Sequence, residues 1–215
     1  MGAMTSGSES PFGAPCEPTA PVPDMAVLLE AFQICDSTFP IGTFNHSFGM
    51  ETYNAEGSMR KAPQFKEWIC SYFSAQYRFG EGLLVILAYR ALDVGDEGAL
   101  WRLDQELTLA TPAAETRTGT KLAFAIFAHG RGIPVREAYL MYGYSVASTL
   151  VQNAVRSIPL DQRQGQLVLR RVIEELRELY PKSACLDEGW LGAGSPGLEI
   201  AQMRHETLDA RLFMS

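Results

Sequence analysis

From Met25 onward, apolar residues recur at spacings of three and four, the template of helices with one buried face. Phe65, Trp68, Ile69, Tyr72, Phe73 and Gln76 follow it, and Pro63 suits a first helical turn, where an N–H would have no partner anyway. Gly80 and Gly82 interrupt the pattern before an apolar stretch from Leu83 to Leu92. Gly95 and Asp96 then punctuate the approach to Leu100, Leu103, Leu107 and Ala110. Thr111 and Pro112 read as cap and first turn of a further helix directed toward His129, with Glu115 near the positive end of its dipole.

The spacing predicts the longest helix from near Pro134, with Leu140, Gly143, Ala147, Leu150 and Ala154 along one side, where small residues admit a close neighbour. Pro159 ends it by removing a backbone donor. Asp161 and Gln164 stand as a D-x-x-Q capping box ahead of Leu169, Val172, Ile173, Leu176 and Tyr180. The stretch from Pro181 to Gly194 reads as a loop, and Ser195 with Pro196 opens a last helix carrying Leu198, Ala201, His205, Leu208 and Leu212. No segment alternates as a strand would, so the expected class is all-α, a single-domain multi-helix bundle over residues 25–215. Residues 1–24 hold Pro11, Pro15, Pro18, Pro21 and Pro23 among Gly and Ser, a composition expected of a disordered tail.

Composition narrows the function classes. With 47% hydrophobic residues in a chain of 215, one sizeable core is expected. A formal net charge of -7 argues against a phosphate-backbone footprint, so nucleic acid is not an expected partner. The apolar run from Leu83 to Ala88 is far too short to span a bilayer, and the first residues lack the pattern of a signal peptide. Cys16, Cys35, Cys70 and Cys185 are widely spaced without a C-x-x-C pair, as in reduced cytoplasmic proteins.

One segment departs from the plain helical pattern: DSTFPIGTFNHSFGMETY, from Asp36 to Tyr53. Pro40 and Gly42 suit a type I turn starting at Phe39, and Thr43 or Asn45 would cap a helix beginning near His46. The chain here resembles the UreF family of urease accessory proteins, whose D-S-x-x-P-x-G-x-x-x-H-S-x-G-x-E signature is matched by Asp36, Ser37, Pro40, Gly42, His46, Ser47, Gly49 and Glu51. The end of the chain resembles that family's H-E-x-x-x-x-R-L-F-x-S terminus through His205, Glu206, Arg211, Leu212, Phe213 and Ser215. Glu115 and Arg117 resemble an acid-x-Arg element, and Arg156, Pro159, Gln162, Gly165 and Gln166 resemble the family's R-x-I-P-L-x-Q-x-x-G-Q stretch. Between Arg117 and Gly132 the chain is shorter than the resemblance leads one to expect.

The resemblance implies an all-helical, non-catalytic adaptor without a resident cofactor. It implies assembly with UreD (also called UreH) and the GTPase UreG on apo-urease, GTP-dependent nickel insertion, and a homodimer. The matched residues are implied to bind partners. Read by itself, His205 is either a core histidine or part of a partner-facing seam, and the resemblance favours the seam. His46 suits nickel or zinc as an imidazole, but Glu51 lies five residues on and off its helical face, with no second His or Cys at ligand spacing. A structural or partner-facing role is the better reading.

Enzyme motifs are weak. Gly192, Gly194 and Gly197 formally satisfy G-x-G-x-x-G but follow no strand and enclose Pro196. Gly143, Tyr144 and Ser145 lack the second glycine of a nucleophile elbow, Ala147 standing there. The chain holds no G-x-x-x-x-G-K-[ST], and none of His46, His129 and His205 has Glu three residues before it as a di-metal bundle requires. A helical metal-dependent enzyme therefore remains only as an alternative, supported by scattered His and Glu and distinguishable by stoichiometric metal in the purified chain. A degenerate UreF-like interaction module with a shortened middle is the other.

Overall fold

A computed structural model describes residues 24–36, 39, 48–110 and 118–205, and every regular element among them is helical. The all-α class read from the periodicity is thus borne out. Helix α1 (Met25–Cys35) is capped by Asp24, whose carboxylate accepts from the Ala26 N–H at 2.9 Å. Only Ile34 and Cys35 of α1 are buried, although Leu28, Ala31, Phe32 and Cys35 recur at helical spacing.

Helix α2 (Met50–Ala55) begins at Met50 and not near His46. Phe48 and Gly49 have φ of 51° and 82°, in the left-handed region, so a right-handed helix cannot run through them. The turn from Phe39 and the caps at Thr43 or Asn45 lie outside the described residues, as do residues 1–23 of the tail.

Helix α3 (Ala62–Ser71) carries Pro63 in its first turn and runs directly into a π turn, Tyr72–Tyr77. All six residues of the predicted stripe, Phe65 through Gln76, are buried. The wider turn brings side chains four and five apart closer to one face, and Tyr72, Phe73, Gln76 and Tyr77 all point inward from it.

Helix α4 (Glu81–Val94) starts after Gly80 and includes Gly82, which therefore does not interrupt it. A Cβ on Gly82 would lie 2.6 Å from the Tyr139 ring and 2.7 Å from that of Tyr77. That glycine marks a close approach within the helix. Helix α5 (Glu97–Ala110) follows, and α6 is described over Thr118–Gly130. The predicted start of α6 at Thr111 and Pro112 lies outside the described residues.

Helix α7 (Val135–Ser157) begins directly after Pro134 and stops ahead of Pro159, as its prolines predict. Helix α8 (Gln162–Ser183) has the expected capping box: Gln164 N–H donates to Asp161 Oδ1 at 2.7 Å, and Asp161 N–H to Gln164 Oε1 at 3.1 Å. The loop expected from Pro181 starts later, because α8 runs through that proline to Ser183. In the last turn the proline removes a single bond, while Ala184 N–H still reaches Tyr180 O at 2.8 Å. A 3₁₀ turn, Glu188–Trp190, precedes α9 (Pro196–His205).

The centre of the molecule is the hairpin of α7 and α8, with α4 and α6 beside it. Gly143 faces Leu176 and Gly165 faces Val151 and Val155, so the two helices run in opposite directions at close range. A row of aromatic rings crosses this centre: Tyr77 packs on Tyr139 and Tyr142 at 5.1 Å and 6.5 Å, and Phe124 on Tyr142 at 5.1 Å. Tyr77 Oη donates to the Tyr139 carbonyl at 2.6 Å, satisfying a hydroxyl that is fully enclosed. An ion pair is buried here too, Lys121 Nζ lying 3.4 Å from Glu81 Oε1 while Tyr72 Oη donates to Glu81 Oε2 at 3.1 Å. Removing one member would strand a buried charge, so the pair fixes how α4 and α6 meet.

Candidate partner-binding surface

Helix α2, which ends the first signature segment, packs on α9, the helix that leads into the second. Phe48 is buried with its ring 5.2 Å from that of Tyr72, which anchors the start of α2 to the core. Gly49 then turns the chain, and a Cβ there would stand 3.1 Å from Gln202 N and 3.2 Å from Ala201 C. Two requirements fall on this one residue: a left-handed φ and room for the backbone of α9.

From this turn α2 directs its side chains at backbone carbonyls. Thr52 Oγ1 donates to Ala201 O at 2.7 Å and Tyr53 Oη to Gly197 O at 3.3 Å, both on α9. Asn54 Nδ2 donates to Ser157 O at 3.0 Å, tying α2 to the last residue of α7. A carbonyl at a helix C-terminus has no intrahelical partner, so Asn54 supplies one. Glu51 is buried in the first turn of α2, where the helix dipole favours an acid. At the rim, Arg204 Nη1 lies 3.3 Å from Glu56 Oε1.

The arrangement draws in the third predicted element. Arg156 stands exposed one residue before Ser157, and Gln162 and Gln166 are exposed on the first turns of α8. Asp36 is exposed at the C-terminal end of α1. The structure therefore brings Gly49 and Glu51 to α9 and links α2 to the α7–α8 junction. Pro40, Gly42, His46, Ser47, Glu115, Arg117, Glu206, Arg211, Leu212, Phe213 and Ser215 lie outside the described residues, and of His205 only the backbone is described, as the last residue of α9.

Helix α9 is apolar on both sides. Leu198 and Ala201 face inward with Gln202, while Ile200 and Met203 face outward at 48% and 66% exposure. An outward apolar pair three residues apart on a helix that already has a buried face is surface suited to a partner. Sequence reasoning passed over Thr52, Tyr53, Asn54, Ile200, Met203 and Arg204. The doubled apolar pattern of α9 was the one available signal. Among the described residues no group of three or more His, Cys, Asp and Glu side chains gathers as a metal site would, and no helix is long and apolar enough to cross a membrane.

The comparisons with known proteins agree with the motif reading. The family model UreF matches residues 59–122 and 121–173. The urease accessory protein UreF of Streptococcus salivarius (strain 57.I) is 40% identical over 223 positions, covering 87% of this chain and 94% of the relative. That of Bacillus sp. (strain TB-90) is 38% identical, covering 87% of this chain and 99% of the relative. That of Arthrobacter sp. (strain FB24) is 32% identical, covering 85% and 95%. An alignment of 223 positions is longer than the 215-residue chain, so the relatives carry residues with no counterpart here. Matches of this identity over most of both chains show that this protein belongs to the UreF family of urease accessory proteins.

Proposed function

We propose that the chain is a non-catalytic adaptor in urease maturation. It assembles with UreD/UreH and the GTPase UreG on apo-urease and supports GTP-dependent nickel insertion into the urease active site, nickel being cargo delivered by the assembly. The adaptor works as a homodimer in the cytoplasm, and its partner-binding residues are those of the matched segments. The observation that carries this reading is the meeting of α2, α9 and the end of α7 at one pole, with Ile200 and Met203 turned outward. Such a surface suits an adaptor, since binding energy concentrates in a few apolar anchors within a polar rim.

The test is co-purification of the full chain with UreD, UreG and apo-urease, followed by the double variant Ile200→Glu, Met203→Glu. The adaptor reading expects the wild-type chain to hold UreD, and the double variant to lose it while keeping its helical circular dichroism. Failure of the wild-type chain to bind any of these partners overturns the reading. Unchanged UreD binding in the double variant removes α9 from the interface. A second reading, a degenerate module with a shortened middle, is favoured by the relatives' unmatched residues. Restored urease activity in a strain lacking its own UreF decides against it.

A further inference from the structure

Among the described residues Phe48 alone, of those other than glycine, has a left-handed backbone, at φ 51°. A bulky residue in that region is strained, and it persists only where its surroundings fix it. Its buried ring is set against Tyr72, with centroids 5.2 Å apart. Tyr72 opens the π turn and is itself fully enclosed. Trp68 stacks on Tyr72 at 5.9 Å and meets Tyr53 of α2 at 6.4 Å, so the aromatic side chains before and within α2 rest on one platform. The Tyr72 hydroxyl donates to Glu81 Oε2 at 3.1 Å, and Glu81 Oε1 lies 3.4 Å from Lys121 Nζ, all of them buried. A continuous chain of contacts thus runs from the turn before α2, through the π turn and α4, to α6.

From this geometry we infer that α2 is a latch, and that its engagement is coupled through Tyr72 to the joint between α4 and α6. Six residues are too few for a helix to persist alone in water, so α2 is helical only while docked. It therefore has two states: docked, with Phe48 left-handed on Tyr72, and released, with Phe48 relaxed into the common backbone regions. The docked state needs the Tyr72 ring where Phe48 meets it. That ring is oriented by its hydroxyl bond to a carboxylate that Lys121 holds in place. Release of α2 takes away packing from Tyr72 and loosens the α4–α6 joint. Coupling of this kind is reciprocal, so whatever grips the joint changes how firmly α2 sits on α9. Two partners, one at the α2–α9 pole and one on α4 or α6, would act on each other without touching. The inference rests on contacts within the chain and does not depend on the adaptor reading.

Residue-resolved hydrogen exchange of the full chain tests the latch without any partner. Wild type is compared with Tyr72→Phe, which keeps the ring and removes the donor, with Lys121→Met, and with the two together. Both positions lie outside α2 and α9, and the amides of α8 report global opening. Each single variant should speed exchange in α2 and α9 by about tenfold relative to α8, and the double variant should add nothing further, because both changes cut the same link. Glu81→Gln combined with Lys121→Met leaves Tyr72 an acceptor and no buried charge, and should return the pole to wild-type protection. The inference is overturned if α2 and α9 are unchanged in Tyr72→Phe, if α8 accelerates equally, if the two single effects multiply in the double variant, or if the Glu81→Gln, Lys121→Met chain leaves the pole unprotected. Lys121→Met strands the Glu81 carboxylate; where it fails to fold, Tyr72→Phe decides alone, a pole faster than α8 upholding the latch and an unchanged pole overturning it.

Discussion

The α7–α8 hairpin and the α2–α9 pole hold together by different physics. Along the hairpin, helices of 23 and 22 residues approach through Gly143 and Gly165, with Leu176, Val151 and Val155 seated over the glycines. At the pole, helices of 6 and 10 residues are joined by side chains donating to carbonyls, Thr52 to Ala201, Tyr53 to Gly197 and Asn54 to Ser157. Interdigitated packing is diffuse and loses stability with every methylene removed. The pole's directed bonds are few, and while that of Thr52 is buried, that of Tyr53 is open to exchange with water or a partner's donors. The hairpin therefore sets the global stability, and the pole is the part free to open or remodel on binding.

The sharpest break of this contrast is Leu176→Ala. Leu176 is buried, and its methyl groups fill the notch left by Gly143. Truncation removes that filling and leaves a cavity, for a loss of about 2–5 kcal/mol. Urea denaturation should show a large fall in midpoint with an unchanged slope, and hydrogen exchange should accelerate throughout the bundle.

Alkaline titration probes the same region without mutation. Burial pushes Tyr139 up to about 12 and Cys35 up to about 11. Burial, then the neighbouring Glu175, pushes Cys70 up to about 11 as well. In each case the folded protein keeps its proton after the unfolded chain has lost it. Their stabilising contribution is complete below about pH 9 and is lost as pH rises through 10–12. For Tyr139 alone the loss is roughly 2–3 kcal/mol. Stability measured at pH 8, 10 and 11.5 should fall steadily, and a flat profile would show that Tyr139 is not enclosed as described.

These two regions were also unequally legible in the sequence. Helices α7 and α8 announce themselves through Pro134, Pro159 and the Asp161–Gln164 box, because caps and prolines act on neighbours a few residues away. Pro181 misled in the same local terms, since only the position of α8's last turn made that proline tolerable. The pole was legible as motif and not as geometry. Gly49 could be read as part of a signature, but its left-handed turn against Ala201 and Gln202 depends on a helix some 150 residues away. The π turn was hidden because residues Phe65 to Gln76 satisfy an α-helical stripe equally well. Helix α1 is the converse: its apolar spacing from Met25 is legible, but only Ile34 and Cys35 of it are buried.

A change confined to the pole sharpens the contrast from the other side. Thr52→Val keeps the shape of the side chain and removes the donor to Ala201 O, a buried 2.7 Å bond. That carbonyl keeps its intrahelical partner, so the cost is that of one hydrogen bond, about 0.5–1.5 kcal/mol. The loss should appear locally: amides of α9 exchange faster, while those of α7 and α8 keep their protection. Uniform acceleration across the bundle would show that the pole and hairpin unfold as one unit.

The smallest expected effect is at the rim, where Arg204 pairs with Glu56 at 3.3 Å. Both side chains are at least half exposed, at 64% and 50%, so water and salt screen the pair and its contribution to stability is under about 1 kcal/mol. Arg204→Ala should therefore leave the denaturation midpoint nearly unchanged at every salt concentration. Arg204 stands next to Met203 on the outward side of α9, so its charge sits at the edge of the proposed partner surface. Rim charges act chiefly on encounter rate, so Arg204→Ala should change the association rate with UreD and its salt dependence and leave dissociation largely unaltered. A variant with a lowered midpoint and unchanged association would place Arg204 among the braces of the fold, and the pole would then extend its structural role out to the rim.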